Sequence, residues 1–518
     1  MVGNGHTSNP SRKQRWACLS GNGKDRVVCY QTTRPDSPVP LTRAPGVTED
    51  GPQVFHRRLP AHAKASIITA AQNNTPAHPG FLASLEHAAK FYGAEIIAHA
   101  MRYKNPTTRA ESADADNSDW WDARLTPYLS NTRLRLGKHI SFLGDIRIQP
   151  TAVQPLTGLE GFTGAESTVV GHSKLALRVV PTPGHKLPKI MTTTGAVTVP
   201  NYSDTRAGAH GKFHHTLGAV LVQLDRDHFY VRHLLADSSG AFNDLEHRFT
   251  PSGRVKAPPP AALVLGDVHV DYVDPGVERA TFGPHGLVET LRPQNIVYHD
   301  LLDGYAANPH HFGNPFNAVA KRKAGTDDVE AEVRRAITWV KNRTPPWARG
   351  WIVPSNHDRF LVRYLMNTDW RVDPTNAEFY LETALATVRS ARMGPGGTEY
   401  RDPFVHWVER YKIPNVRCID PDAGLRFVGV ELGQHGDRGP NGARGTIRGF
   451  RRIGAKSVIG HSHTPGIEEG AYQAGTSSLL KLEYNRAGLS SWLHAHVIVH
   501  ANTGKRQLVV FVNGKYRP

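Results

Sequence analysis

Ala261-Ala-Leu-Val-Leu-Gly-Asp267-Val-His269 is an apolar run that ends in Gly-Asp-x-His. A short apolar run closed by glycine predicts a buried strand. Aspartate and histidine two positions apart, just past such a strand, leave its C-terminal end on the same side. In open α/β sheets that edge is where ligands collect. Taken alone, the pattern fits an ordinary loop equally well.

Four later stretches share its build. They are Ile296-Val-Tyr-His299-Asp300-Leu-Leu-Asp303, Trp351-Ile-Val-Pro-Ser355-Asn356-His357-Asp358, Phe427-Val-Gly-Val-Glu-Leu-Gly-Gln-His435-Gly436-Asp437 and Ser457-Val-Ile-Gly460-His461-Ser462-His463. Each hands a metal-type side chain to the loop after a β-like run. Two divalent ions about 3.5–4 Å apart need a bridging carboxylate, with imidazoles and oxygens filling the remaining positions. Mixed Asp, His and Asn sets suit manganese, iron or zinc better than calcium or magnesium, which prefer oxygen shells. No cysteine stands at these positions, which argues against a structural zinc site.

In this order, the motifs resemble the calcineurin-like metallophosphoesterase superfamily, over residues 261 to about 500. The resemblance implies a β-sandwich flanked by helices and a pair of divalent metal ions, manganese first, with magnesium, iron or zinc as the other choices. It implies that Asp267, His269 and His463 hold one ion, that Asp300 bridges, and that Asn356, His435 and His461 hold the other. His357 would contact phosphate and protonate the leaving oxygen, with Asp358 orienting its ring. The sequence departs from the family pattern twice. His299 and Ser355 stand where glycine usually precedes the bridging aspartate and the Asn-His-Asp block. Both flank ligands without replacing them.

The chain has 518 residues, so two or three domains are expected. Its 39% hydrophobic and 21% charged content fits a soluble globular protein. A net charge of +16 favours a polyanionic partner, either nucleic acid or an anionic membrane surface. Three cysteines (Cys18, Cys29 and Cys418) cannot build a disulfide framework and suggest a reducing compartment. There is no signal-peptide pattern and no apolar run of membrane-spanning length, so a cytoplasmic protein without a membrane span is expected.

Along the chain, residues 1–61 read as a flexible basic arm, with nine Lys/Arg against four Asp/Glu in the first sixty. Residues 62–254 read as a separate α/β domain for assembly or DNA gripping. It opens with a β-α-β unit: a strand from Ala65, a helix from Phe81 and a strand from Glu95. The acidic stretch Asp114–Asp122, with Trp120 and Trp121, reads as an exposed loop. Further strands are expected at 139–143, 176–180, 196–199, 217–224 and 228–233. His210, His214 and His215 form a cluster with no neighbouring carboxylate in sequence, and read as a solvated turn. Gly144-Asp145-Ile-Arg147 and Gly171-His172-Ser-Lys174 echo the metal motifs, but each has a cation in a ligand position and reads as coincidence. Pro258-Pro-Pro marks a linker, which puts the boundary at about residue 255.

Residues 255–518 alternate strands and helices. Val329, Val333, Ile337 and Val340 define one helical face, opened by acids and stopped by Pro345-Pro346. A second helix is expected over Asn376–Arg392, and strands at 416–420, 425–432, 456–459, 491–499 and 507–513. His494, His496 and His500 read as structural.

The metal motifs alone do not choose a substrate. Gly433–Arg452 contains six glycines, five arginines and one acid, and leaves directly from His435. Glycines admit close backbone approach to phosphate, and arginines bind it in a fork. Arg438, Asn441 and Arg444 are therefore candidate substrate contacts, and an extended polyanion such as DNA is favoured over a small ester. From about residue 62 the chain also resembles the large pre-early proteins of certain tailed bacteriophages, which are associated with host DNA breakdown and first-step DNA transfer. His435-Gly-Asp-Arg-Gly-Pro-Asn-Gly-Ala-Arg-Gly, His299-Asp-Leu-Leu-Asp-Gly and the Ser-Asn-His-Asp block carry this likeness. It implies a metal-dependent DNase, a homo-oligomer acting in the bacterial host cytoplasm. The alternatives are a small-substrate phosphomonoesterase or nucleotidase, and a DNA-binding assembly protein with little catalysis.

Overall fold

Alternate residues of the strand Ala262–Val264 enter different cores. Ala262 and Val264 pack with one apolar cluster, and Leu263 and Leu265 with another. A strand buried on both faces belongs at the centre of a layered α/β structure. The computed structural model describes residues 63–103 and 120–518, apart from 184–185, 309–310, 312–313 and 421, together with 2–3, 15–19, 26–30, 55, 59 and 60.

The central sheet has six strands, in the order Val416–Cys418, Arg349–Ile352, Asn295–Tyr298, Ala262–Val264, Ala495–Val499, Arg506–Val510. The first four run parallel, and the last two are joined antiparallel. One face packs on helices Val329–Arg343, Phe360–Asn367 and Pro403–Arg410 through Val333, Ile337, Leu361, Tyr364, Phe404 and Trp407. Helix Val329–Arg343 starts where the Asp328 side chain accepts from the Ala331 amide, 2.8 Å away, and buries the predicted face.

The other face shares its core with a ten-stranded sheet, through Val264, Val297 and Val497 on one side and Leu177, Ile190, Val458 and Ile467 on the other. Fully burying such side chains contributes about 1.5–3 kcal/mol each. The ten-stranded sheet contains strands from both sides of the expected boundary at 255: Ala176–Val180 pairs antiparallel with Gly466–Glu468. The chain divides into two compact units, Met1–Gln53 and Val54–Pro518, so the triproline segment lies inside the second.

A five-stranded sheet carries the expected β-α-β unit. Ala65–Gln72 and Ala94–Met101 are parallel neighbours linked by helix Pro79–Tyr92. Within the expected arm, strands Val2–Gly3, Arg15–Leu19 and Arg26–Tyr30 form an antiparallel sheet in the first unit. Most of the acidic loop 114–122 lies outside the described residues.

Two expected strands take another form. Residues 196–199 make only isolated bridges, because Gly195, at φ 83°, turns the chain just before them. The run 425–432 folds into a hairpin, Arg426–Phe427 against Val430–Glu431, because Val428 and Gly429 adopt φ of 46° and 77°. The molecule is thus mixed α/β, with several sheets and ten α-helices among the described residues.

Candidate metal centre

The loops after the parallel strands stay locked together past the strand ends. The Val268 amide donates to the His299 carbonyl, His269 to Asp300, and Val270 to Leu301, at 2.7–3.0 Å. This brings Asp267 and His269 alongside Asp300. Asn356 and His357 arrive from the loop after Arg349–Ile352. The second sheet supplies the rest: His435 follows the hairpin, and His461 and His463 follow Lys456–Ile459. The Gly460 amide donates to the His435 carbonyl at 2.7 Å, which couples those two loops.

All seven expected ligand residues converge. His269 Nε2 and His463 Nε2 are 3.0 Å apart, and His463 Nε2 is 3.3 Å from Asp267 Oδ2. His435 Nε2 stands 3.2 Å from Asp300 Oδ2 and 3.1 Å from Asn356 Oδ1, and His461 Nδ1 is 3.0 Å from that same Oδ1. Asp300 Oδ2 is also 3.8 Å from His269 Nε2, so it lies between the two groups.

These residues fit a pair of divalent ions. Asp267 and Asp300 are buried, and their carboxylate oxygens have no hydrogen bond of ordinary geometry. A buried, uncompensated carboxylate is costly, and no Lys or Arg pairs with either among the described residues. Burial and the neighbouring Asp300 push Asp267 up to about 7. Asp300 is held well below the usual carboxylate range: burial opposes this, but His435, His357 and His269 outweigh it. The donor set of imidazoles, carboxylates and one amide oxygen suits borderline transition ions.

The backbone is strained at the same place. His269, Asp300, His461 and His463 have φ of 46°, 46°, 77° and 58°. Left-handed non-glycine residues cost roughly 1–2 kcal/mol each and cluster at functional sites. Gly460 is required by close approach: a Cβ there would lie 2.3 Å from Asp267 Oδ1.

His357 differs from its neighbours. Its Nδ1 donates to the Asp303 main-chain carbonyl at 2.7 Å, which leaves Nε2 as the basic nitrogen of the neutral ring. Burial keeps its pKa below the ordinary value. Asp358, expected to orient this ring, instead accepts from the Leu302 amide at 3.4 Å and is buried. Consecutive side chains leave this loop in different directions, so the orienting contact comes from the chain segment of Asp303.

Two further residues at the site lie outside the expected set. The Asp303 carboxylate is 3.3 Å from His269 Nδ1. His299 Nδ1 is 3.3 Å from His435 Nδ1, and burial holds His299 down at about 3, in its neutral form. Both lie within the quoted 296–303 stretch, and the Asp-x-x-Asp spacing was the available signal.

A cleft of about 1260 Å³ opens on His357, Asn356 and His461. Arg359, Arg363, Arg438, Lys481 and Arg486 line it, with Tyr272, Tyr305 and Phe360. Arg359 is ion-paired with Asp437. Of the candidate substrate contacts, Arg438 lines the cleft. Asn441 and Arg444 are exposed on the same loop and do not. The short helix Ile447–Phe450 follows, capped by Thr446. His494, His496 and His500 are buried, as expected of structural residues. His496 accepts from the Gly266 amide at 3.0 Å, and His494 bonds the Ser478 carbonyl at 2.9 Å.

Over 466 residues the chain is 33% identical to "Protein A1" of Escherichia phage T5, covering 88% of this chain and 83% of that protein. The chain belongs to the family of phage T5 protein A1. No family model matches it, and no solved structure matches it significantly. The expected bacteriophage origin agrees with this relative. No helix among the described residues is long and apolar enough to cross a membrane.

Proposed function

We propose that the chain is a two-metal phosphodiesterase that cleaves DNA, with the metallophosphoesterase core its motifs resemble. The observation that carries this reading is the convergence of seven metal-type side chains from five loops of two sheets around buried carboxylates without hydrogen-bond partners. Asp267, His269 and His463 would hold one ion and Asn356, His435 and His461 the other, with Asp300 shared. Such a pair supplies Lewis acidity and lowers the pKa of water, with manganese the first choice.

The chain's own residues do the rest. His357, its tautomer fixed by the Asp303 carbonyl, would take up a proton at its basic Nε2 and pass it to the departing oxygen. His299 and Asp303 steady the rings of His435 and His269. Arg359, Arg438, Lys481 and Arg486 would grip flanking phosphates.

The cleft volume favours a polymer over a small ester. Pockets for small ligands are about 300–1,000 Å³, and this cleft, at about 1260 Å³, is larger, open and basic. The net charge of +16 supports the same choice. Together with the resemblance to pre-early phage proteins, this gives an enzyme degrading host DNA early in infection, in the bacterial cytoplasm, as a homo-oligomer.

The test compares bis(p-nitrophenyl) phosphate with p-nitrophenyl phosphate on manganese-loaded and chelated protein. Metal-dependent turnover of the diester supports the reading. Turnover confined to the monoester supports a phosphomonoesterase, and none of either supports a binding protein.

A further inference from the structure

The histidine cluster at 210–215 acquires in the fold the carboxylate it lacks in sequence. Helix Arg206–His214 is capped by Thr205, whose hydroxyl accepts from the Gly208 amide at 3.1 Å. His210 and His214 are four residues apart, hence on one face, with ring centroids 4.5 Å apart. His215 points elsewhere: its Nδ1 meets the Tyr202 hydroxyl at 3.0 Å and its Nε2 the Thr198 carbonyl at 2.9 Å. Against the His210–His214 face lies Glu469, in the turn between strands Gly466–Glu468 and Ala471–Gln473. One donor atom from each of His210, His214 and Glu469 falls within 4.8 Å of the others, and all three residues are half-buried.

We infer that His210, His214 and Glu469 form a separate mononuclear site for a zinc-class divalent ion, which ties helix Arg206–His214 to the 466–473 hairpin. His214 Nε2 and Glu469 Oε2 are 3.9 Å apart. That is too long for a hydrogen bond, which ends near 3.2 Å, and a small side-chain rotation brings it to the roughly 3.4 Å between two tetrahedral ligands of one ion with bonds of about 2.0–2.2 Å. Glu469 is already aimed. Its Oε1 accepts from the buried Lys174 at 2.8 Å, and Lys174 is anchored to the Val153 carbonyl at 2.5 Å. Such an outer contact fixes a ligating carboxylate and leaves Oε2 for the ion. Arg451 does not neutralise Glu469 alone, because it stands 3.7 Å from Glu468 and 3.8 Å from Glu469. Two imidazoles and one carboxylate, with the exposed side open to water, form a known zinc donor set.

This inference is independent of the proposed phosphodiesterase. The test measures zinc retained per full-length chain after metal loading and gel filtration, by mass spectrometry. It compares the wild type with His210→Ala, His214→Ala, Glu469→Gln and the same-helix control Lys212→Ala. The wild type and Lys212→Ala are expected to retain one zinc more than each of the other three. Glu469→Gln preserves side-chain size and the contact to Lys174, so it tests ligation without emptying the turn. Added to Asp300→Ala, His214→Ala should remove a further zinc, which separates this site from the cleft. Equal zinc in wild type and Glu469→Gln, with unchanged circular dichroism, would overturn the inference.

Discussion

Asp303 holds His357 with its main chain: its carbonyl accepts from His357 Nδ1 at 2.7 Å, while its carboxylate stands 3.3 Å from His269 Nδ1. One residue therefore contacts a proposed ligand with its side chain and the proposed proton-handling ring with its backbone. Asp303→Asn should weaken manganese binding by roughly 10–100-fold, the usual effect of losing an outer-shell partner. His357 should keep its orientation and tautomer, because the carbonyl remains. Calorimetric manganese titration checks this, and wild-type affinity in the variant would remove Asp303 from the site.

Asp300 lies within 3.8 Å of imidazoles from both groups, His269 and His435. Asp300→Ala should lower bound manganese from two ions per chain to one or none. Metal analysis of the purified variant is the check. Two retained ions would show that Asp300 does not bridge.

Arg438 lines the cleft, and Arg444, from the same loop, does not. Each lost phosphate contact lowers the slope of log affinity against log salt by about 0.9 for duplex DNA. Arg438→Ala should show that drop, and Arg444→Ala a smaller one. DNA binding measured across a salt series, with calcium replacing manganese to suppress turnover, distinguishes them. Equal slopes for wild type and Arg438→Ala would move the DNA path elsewhere.

Mild acid should unfold the protein. His99, His172, His215, His233 and His500 are each lowered to about 4, chiefly by burial. A histidine depressed in the fold leaves the unfolded chain to bind more protons below its ordinary value near 6.5. The stabilisation is thus complete above that pH and is lost as pH falls towards 4. Each fully linked group contributes up to about 1.4 kcal/mol per pH unit in that window. Urea midpoints measured at pH 7.5, 6 and 5 should fall steeply. A flat profile would mean that these rings are solvated.

The seven residues that converge were legible because metal chemistry restricts residue types and because each of them follows a strand. The parallel strands Ala262–Val264, Asn295–Tyr298 and Arg349–Ile352 matched the apolar runs for the same reason. Contacts between distant segments were less legible. The pairing of Ala176–Val180 with Gly466–Glu468 joins strands nearly three hundred residues apart, and local composition says nothing about it. Asp358 and Asp303 show the same limit at the site, since sequence adjacency to His357 did not decide which residue touches its ring. The 425–432 run was misread because Val428, normally a strand residue, takes a left-handed turn beside Gly429.

The most direct measurement is digestion of closed circular and linear duplex DNA with manganese or with chelator, using wild type beside His357→Ala. The wild type should cleave with metal only. The variant should lose about 10²–10⁴-fold, the usual weight of a general acid, with metal content unchanged. Cutting of the circle would mark an endonuclease, and cutting of the linear form alone an exonuclease. Cleavage by His357→Ala at the wild-type rate would remove His357 from the proposed chemistry, and cleavage by the wild type in chelator would remove the metal ions.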